Sequence, residues 1–236
     1  MTAYLLGSGC GTIDLLTVKG LRLLQTAEIV IYDALIDEEI LSIVPETCEQ
    51  IFVGKRGGQP SLKQSEIDRI LVEACQRKER VVRLKTGDPF IFGRTTSEIQ
   101  DLKAANIPYE IIPGISSAIA APLFAHIPLT DLALSKSFTV LSAHDPDALD
   151  WQTLSHLDTL VLLMGAKALP TIIQLLVRQG KSTDTAIAII QWAGQPQQRI
   201  WSGTLGNILQ ITKGEVLSPC VIVIGEVVRL REFLQP

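Results

Sequence analysis

Tyr4-Leu5-Leu6-Gly7-Ser8-Gly9-Cys10-Gly11-Thr12 joins an apolar run directly to a glycine-rich segment. The apolar run reads as a strand buried on both faces, and the glycines let the backbone turn tightly and approach a ligand closely. Just downstream, Leu15, Leu16, Val18, Leu21, Leu23 and Leu24 fill one side of a period of about 3.6 residues, which marks a helix. Strand, glycine loop and helix in that order open an α/β unit.

Taken alone, residues 1–33 admit three readings. Asp33 closes the next β-branched run at about the distance where a dinucleotide-binding fold places its ribose-binding acid, so the loop could bind NAD. Against this, the third fingerprint glycine falls at Thr12, and Gly11 lies one position too early to ease helix–strand packing. The glycines could also serve only as a turn. Cys10 reads as a small loop-filling residue or as a reactive thiol at a helix N-terminus.

Working outward, Tyr4 to Leu6, Ile29 to Tyr32, Gln50 to Val53, Arg80 to Leu84 and Tyr109 to Ile112 are short runs expected to be strands buried on both faces. Ile67, Ile70, Leu71 and Ala74 mark a helix between them, with Ser61 and Gln64 forming an S-x-x-Q start signal. Beyond Pro113-Gly114 the pattern changes. Strands are expected at Phe138 to Leu141, Thr159 to Met164, Ala186 to Gln191, Arg199 to Gly203 and Cys220 to Gly225, with a helix over Leu169 to Val177 closed by Gly180. The short polar join between Gln191 and Arg199 suits a hairpin, which makes the second sheet mixed. Two α/β domains are expected, residues 1–113 with the glycine-rich loop and residues 114–236 with the mixed sheet.

Composition narrows the function classes. The chain is 47% hydrophobic and 19% charged, as a packed globular protein is. A net charge of −4 gives no broad basic field for nucleic acid or an anionic membrane, so neither is an expected partner. Cys10, Cys48, Cys75 and Cys220 are scattered without a C-x-x-C pair, which argues against a metal site or redox dithiol and for a reducing, cytoplasmic setting. His126, His144 and His156 share no ligand spacing. The N-terminus has no signal-peptide pattern, and the most apolar stretch, Ile111 to Leu129, is broken by Pro113, Pro122 and Pro128.

Further motifs separate the readings. Leu15-Leu16-Thr17-Val18-Lys19-Gly20, Val30-Ile31-Tyr32-Asp33, Val53-Gly54-Lys55-Arg56, the run from Arg83 through Thr86-Gly87-Asp88-Pro89-Phe90-Ile91-Phe92-Gly93-Arg94, and Pro113-Gly114-Ile115-Ser116-Ser117 follow one another in the order and spacing of a known family. So do Ile127-Pro128-Leu129-Thr130, Leu163-Met164-Gly165 and Gly225-Glu226-Val227-Val228. The sequence resembles the tetrapyrrole methylases over almost its whole length, and among them the members that act on porphyrinogens. The G-D-P-F-x-F-G-R run is the most specific part of the likeness.

The resemblance implies a homodimer of two α/β domains, with S-adenosylmethionine in a cleft between them and a tetrapyrrole as methyl acceptor. It also implies two successive methylations of a porphyrinogen, with S-adenosylhomocysteine as the by-product. On matching positions it assigns the cofactor to Gly9, Cys10, Thr86, Gly87, Asp88, Ile91, Ser116, Ser117, Met164 and Ala193, proton acceptance to Asp33 and proton donation to Lys55. Arg56, Arg94 and Thr130 would meet the acidic substrate, with Arg83 and Lys85 as further cations in the same turns or as solvated surface charges. The chain departs from the family pattern at Cys10, Thr12, Ile13, Thr86 and Thr95-Thr96-Ser97, and Asp131-Leu132-Ala133 stands where His-Arg-Asp usually follows Thr130. Two alternatives stay open on these departures: methylation of a different precorrin, and a catalytically weak paralogue that binds cofactor or tetrapyrrole.

Overall fold

The computed structural model describes residues 1–54 and 62–235, and these form two compact units, Met1–Ser116 and Ser117–Pro236. In the first unit the strands are β1 (Thr2–Gly7), β2 (Ile29–Tyr32), β3 (Glu49–Phe52), β4 (Arg80–Lys85) and β5 (Tyr109–Ile112). All pairings are parallel, in the order β3-β2-β4-β1-β5. Helices α1 (Val18–Leu24), α2 (Glu38–Leu41), α3 (Gln64–Arg77) and α4 (Thr95–Ala104) connect them.

Side-chain alternation divides this sheet between two cores. Ala3, Leu5, Ile29, Ile31 and Val81 face Ile67, Leu71 and Ala74 of α3 and Leu102 of α4. Leu6, Val30, Val82 and Leu84 face Leu24 of α1 and Ile40 of α2. The adjacent strands β1 and β4 therefore send the chain to opposite faces of the sheet. This is the switch point at whose carboxyl edge open parallel sheets form ligand crevices.

Three local expectations are corrected. Strand β3 is an edge strand, with Glu49, Gln50 and Phe52 exposed, because among the described residues only β2 pairs with it. The first α-helix begins at Val18, whose side chain is exposed, after Thr17 caps it by accepting the Gly20 N–H at 3.1 Å; only Gly20 and Leu24 are buried within it. Helix α3 begins at Gln64, with the Glu66 carboxylate accepting the Lys63 N–H at 2.8 Å, whereas Ser61 lies outside the described residues.

The second unit contains α5 (Ser117–Phe124), β6 (Phe138–Ser142), α6 (Trp151–Ser155), β7 (Thr159–Leu163), α7 (Leu169–Arg178), β8 (Ala186–Gln191), β9 (Arg199–Thr204), α8 (Ile208–Ile211), β10 (Cys220–Ile224) and α9 (Arg231–Leu234). The sheet order is β6-β7-β10-β8-β9. Strands β6 and β7 are parallel, β10 runs antiparallel to both β7 and β8, and β8–β9 is the expected hairpin, with Gln191 opposite Arg199. The carboxyl ends of β6, β7 and β8 consequently share one edge. Helix α7 stops as expected: Gly180 takes φ +92°, and the N–H groups of Lys181 and Gly180 donate to the Leu176 and Val177 carbonyls. Its apolar face, Leu169, Ile172 and Leu176, packs on Leu160, Leu162, Ile187 and Ile189.

Candidate active site

The carboxyl edge of the first sheet is closed by glycines at near-contact distance. Gly87 and Gly9 exchange backbone hydrogen bonds of 2.9 and 3.2 Å, and the Ser8 N–H donates to the Lys85 carbonyl at 2.8 Å. A Cβ on Gly7 would lie 2.5 Å from the Gly87 oxygen, and one on Gly114 only 2.1 Å from it. No side chain fits at either position, so the loops after β1, β4 and β5 meet backbone to backbone. Asp88 staples the same loops, its carboxylate accepting from Phe90 N–H at 2.8 Å and Gly114 N–H at 3.2 Å. Thr95 adds a hydroxyl bond to the Pro89 carbonyl.

This packing leaves the next turn projecting. Phe90, Ile91 and Phe92 are all exposed, and Phe92 and Arg94 hold left-handed φ values of 54° and 56°. Strained non-glycine backbone of this kind persists only where the surroundings over-determine it, and it gathers at ligand sites. Helix ends account for Asn106 and His126: each sits in the left-handed position that closes α4 or α5.

Beneath the edge lies a buried ion cluster. Arg83, on β4, donates from Nη2 to Asp33 Oδ1 at 2.6 Å and from Nε to Glu98 Oε1 at 2.8 Å. Its Nη1 donates to the Ile31 and Leu84 carbonyls at 3.3 and 3.1 Å. Lys85 Nζ lies 2.7 Å from both Glu98 carboxylate oxygens. Glu98 is fully buried, the Arg83 and Lys85 side chains are 3% exposed, and Asp33 is 31% exposed. Two cations and two carboxylates thus cancel, and one carboxylate reaches solvent. Burial, and next the adjacent Arg83 cation, push the Lys85 ammonium below its ordinary pKa despite Glu98. Burial also acts to lower Arg83, but the Asp33 and Glu98 carboxylates outweigh it and hold the guanidinium above its ordinary value.

In the second unit Met164 directly follows β7, with φ 60° and a half-exposed side chain. Ala193 follows β8 in the β8–β9 turn, buried between Trp192 at φ 49° and Gly194 at φ 76°, and the Gly194 N–H donates to Gln198 Oε1 at 2.8 Å. Leu163 and Ile190 flank Val221 of β10 from either side, so both turns lie at one sheet edge. Ser116 is buried, and Ser117 opens α5.

Within the first unit, Gly9, Cys10, Thr86, Gly87, Asp88, Ile91 and Ser116 follow the carboxyl ends of β1, β4 and β5, and Asp33 follows β2. In the second, Met164 and Ala193 share an edge. Arg94 is exposed at the start of α4. Lys55 and Arg56 lie outside the described residues. Thr130 is exposed and leads into a turn in which Asp131 Oδ1 accepts the Ala133 and Leu134 N–H groups at 2.9 and 3.0 Å, leaving Leu132 97% exposed at the tip. Burial raises the Cys10 thiol to about 11, which suits a packing residue and not a reactive one.

Two expectations are corrected here. Arg83 and Lys85 are neither turn cations nor surface charges, because both belong to β4 and are spent on buried partners. The NAD reading loses its geometry: a 3₁₀ turn over Ile13–Leu15 follows the glycines and the α-helix starts only at Val18, so the glycine loop does not run directly into an α-helix N-terminus. Sequence reasoning missed Glu98. Its signal was an acid in register with Thr95 and Leu102 on the buried stripe of α4.

Parallel strands ending in glycine-packed loops, with a half-exposed carboxylate among them, define an α/β enzyme of small molecules. The chain belongs to the tetrapyrrole (corrin/porphyrin) methylases, whose family model matches residues 2–209. It is 51% identical over 230 residues to the uroporphyrinogen-III C-methyltransferase of Synechococcus elongatus, covering 98% of this chain and 95% of that protein. The enzyme of the same name from Methanocaldococcus jannaschii is 47% identical over 233 residues, covering 96% of each. The fold matches the crystal structure of uroporphyrin-III C-methyl transferase from Thermus thermophilus complexed with S-adenyl homocysteine, with a TM-score of 0.85, 34% identity, and coverage of 98% of this chain and 100% of that one.

Proposed function

We propose that this protein methylates uroporphyrinogen III at carbon, using S-adenosylmethionine to form precorrin-2 on the branch toward sirohaem and cobalamin. The observation that carries the reading is the half-exposed Asp33 carboxylate at the switch-point edge, in a chain alike over nearly its full length to enzymes of that name. The cofactor is assigned to Gly9, Cys10, Thr86, Gly87, Asp88, Ile91 and Ser116 of the first unit and to Ser117, Met164 and Ala193 of the second. The residues suit it: glycines let the loop backbones approach at near-contact distance, while Ile91 and Met164 present apolar side chains to solvent.

S-adenosylmethionine would supply an electrophilic methyl group, a carbon–carbon bond to the pyrrole forming as the methyl–sulfur bond breaks and S-adenosylhomocysteine leaves. The work left to the chain is to hold the pyrrole carbon in line, exclude water and take up the ring proton. Asp33 is assigned the proton, and Lys55 the donation of one. Phe90, Ile91 and Phe92 supply apolar cover. Arg56, Arg94 and Thr130 are assigned to the carboxylate side chains of the substrate. The Asp131 turn, which puts Leu132 where the family has an arginine, favours a second reading in which a later precorrin is the acceptor.

The protein is further proposed to act as a cytoplasmic homodimer, supported by four cysteines that form no disulfide and by an apolar groove of about 420 Å³ lined by Ile119, Leu123, Phe138 and Leu234. A monomer mass at sedimentation equilibrium would remove the dimer. Function is tested by anaerobic label transfer from methyl-labelled S-adenosylmethionine to uroporphyrinogen III, with precorrin-2 as rival acceptor. Calorimetry with S-adenosylhomocysteine and NAD accompanies it. Label on uroporphyrinogen III supports the first reading, label on precorrin-2 alone the second, and preference for NAD opposes both.

A further inference from the structure

We propose that Arg83 is a positioning residue for methyl transfer: held by Glu98 and two strand carbonyls, it fixes the orientation of the Asp33 carboxylate. This rests on Asp33 being the proton acceptor. The guanidinium has almost no freedom. Nε is tied to Glu98, Nη1 to the backbone oxygens of Ile31 and Leu84, and only Nη2 remains for Asp33. Ile31 lies on β2, two residues before Asp33, so the same arginine grips both the carboxylate and the strand that delivers it. Glu98 is itself pinned from the other side by Lys85.

The arrangement spends four buried or half-buried charges on one task. A lone Asp33 at the end of β2 would rotate about its side-chain bonds; with Oδ1 bonded to Arg83 at 2.6 Å, Oδ2 is left, among the described residues, to accept the ring proton in one direction. A bidentate-capable, planar donor is needed, because it must face Glu98, two carbonyls and Asp33 in one plane, which an ammonium cannot do. Loss of the clamp displaces the carboxylate on the scale of an ångström, for which roughly a hundredfold in rate is the expected penalty.

The test is a double-mutant cycle on the full chain with uroporphyrinogen III: Arg83→Lys, Glu98→Gln and Asp33→Asn singly, then each of the first two combined with Asp33→Asn. S-adenosylhomocysteine affinity by calorimetry and urea unfolding report on folding in every variant. Arg83→Lys is expected to lower kcat roughly a hundredfold and Glu98→Gln roughly tenfold. KM and S-adenosylhomocysteine affinity should stay within about threefold of the parent. In the Asp33→Asn background both substitutions should leave kcat within about twofold, since the group they position is gone. Losses that multiply in that background, or that appear equally in S-adenosylhomocysteine affinity, overturn the positioning role and leave a structural one. Should Arg83→Lys fail to fold, Glu98→Gln alone decides by the same comparison. Full activity of Asp33→Asn instead overturns the assignment of Asp33, and with it this inference.

Discussion

Replacing Gly114 with alanine tests the glycine-packed edge on which the candidate site is built. The new Cβ would lie 2.1 Å from the Gly87 oxygen and 2.7–2.8 Å from Gly114's other neighbours in the Gly7 backbone. Ordinary contact begins near 3.4 Å, so backbone must separate by more than 1 Å. It has little room to do so: Gly7 is in register with Lys85 inside the sheet, Gly87 is bonded to Gly9, and the Gly114 N–H donates to Asp88 at 3.2 Å. Overpacking of this kind costs about 1–3 kcal/mol, and the charge-assisted bond to Asp88 adds to it if it breaks, so a loss of about 3 kcal/mol is expected. For a chain of this length that lowers Tm by about 6–12 °C. Urea unfolding followed by circular dichroism measures the loss, and hydrogen exchange should place it in β1, β4 and β5. Gly214→Ala is the control: its φ of +83° is left-handed, unlike that of Gly114, yet nothing lies within 4 Å, so only the conformational cost of about 1 kcal/mol applies. Equal effects at the two positions would refute the close packing.

Three further outcomes are expected. Glu98→Ala strips the anion from two buried cations and should cost about 3–5 kcal/mol in urea unfolding, whereas Glu73→Ala, in an exposed pair with Arg69, should cost under about 1 kcal/mol; similar losses would mean that the buried cluster is solvated. The Cys75 thiol is raised to about 11 by burial, so its stabilisation is complete below the ordinary value of 9.0 and lost as pH rises through about 11. Roughly 1 kcal/mol from this group should vanish between about pH 8 and pH 10, and Cys75→Ala should show the shallower decline; parallel curves would exclude it. Met164→Gly removes a half-exposed side chain from a left-handed position, so stability should change by less than about 1 kcal/mol while S-adenosylhomocysteine affinity falls. Unchanged affinity would take Met164 out of the cofactor site.

Legibility from sequence followed the physics of each element. The strands of both sheets, the Gln191–Arg199 hairpin and the Gly180 stop were readable because β-branched runs, short polar joins and a left-handed glycine are local signals. Exposure of β3 was not, since edge position depends on strand order and not on composition. Burial of Arg83 and Lys85 was hidden for a related reason: on a strand covered by helices on both faces, a charge looks like a break in the strand until its partner is known. That partner, Glu98, lies thirteen or more residues away on α4, and only its place on the apolar stripe announced it. Turn residues such as Thr86-Gly87-Asp88 and Met164 were found through likeness to a family, whereas their strained or close-packed backbone became visible only in three dimensions.

The most direct test of the central claim is the mass of the product formed when the purified protein meets uroporphyrinogen III and methyl-labelled S-adenosylmethionine without oxygen. A singly labelled species that rises first and gives way to a doubly labelled one is the predicted result. An unlabelled tetrapyrrole, from a protein that still binds S-adenosylhomocysteine, would contradict it.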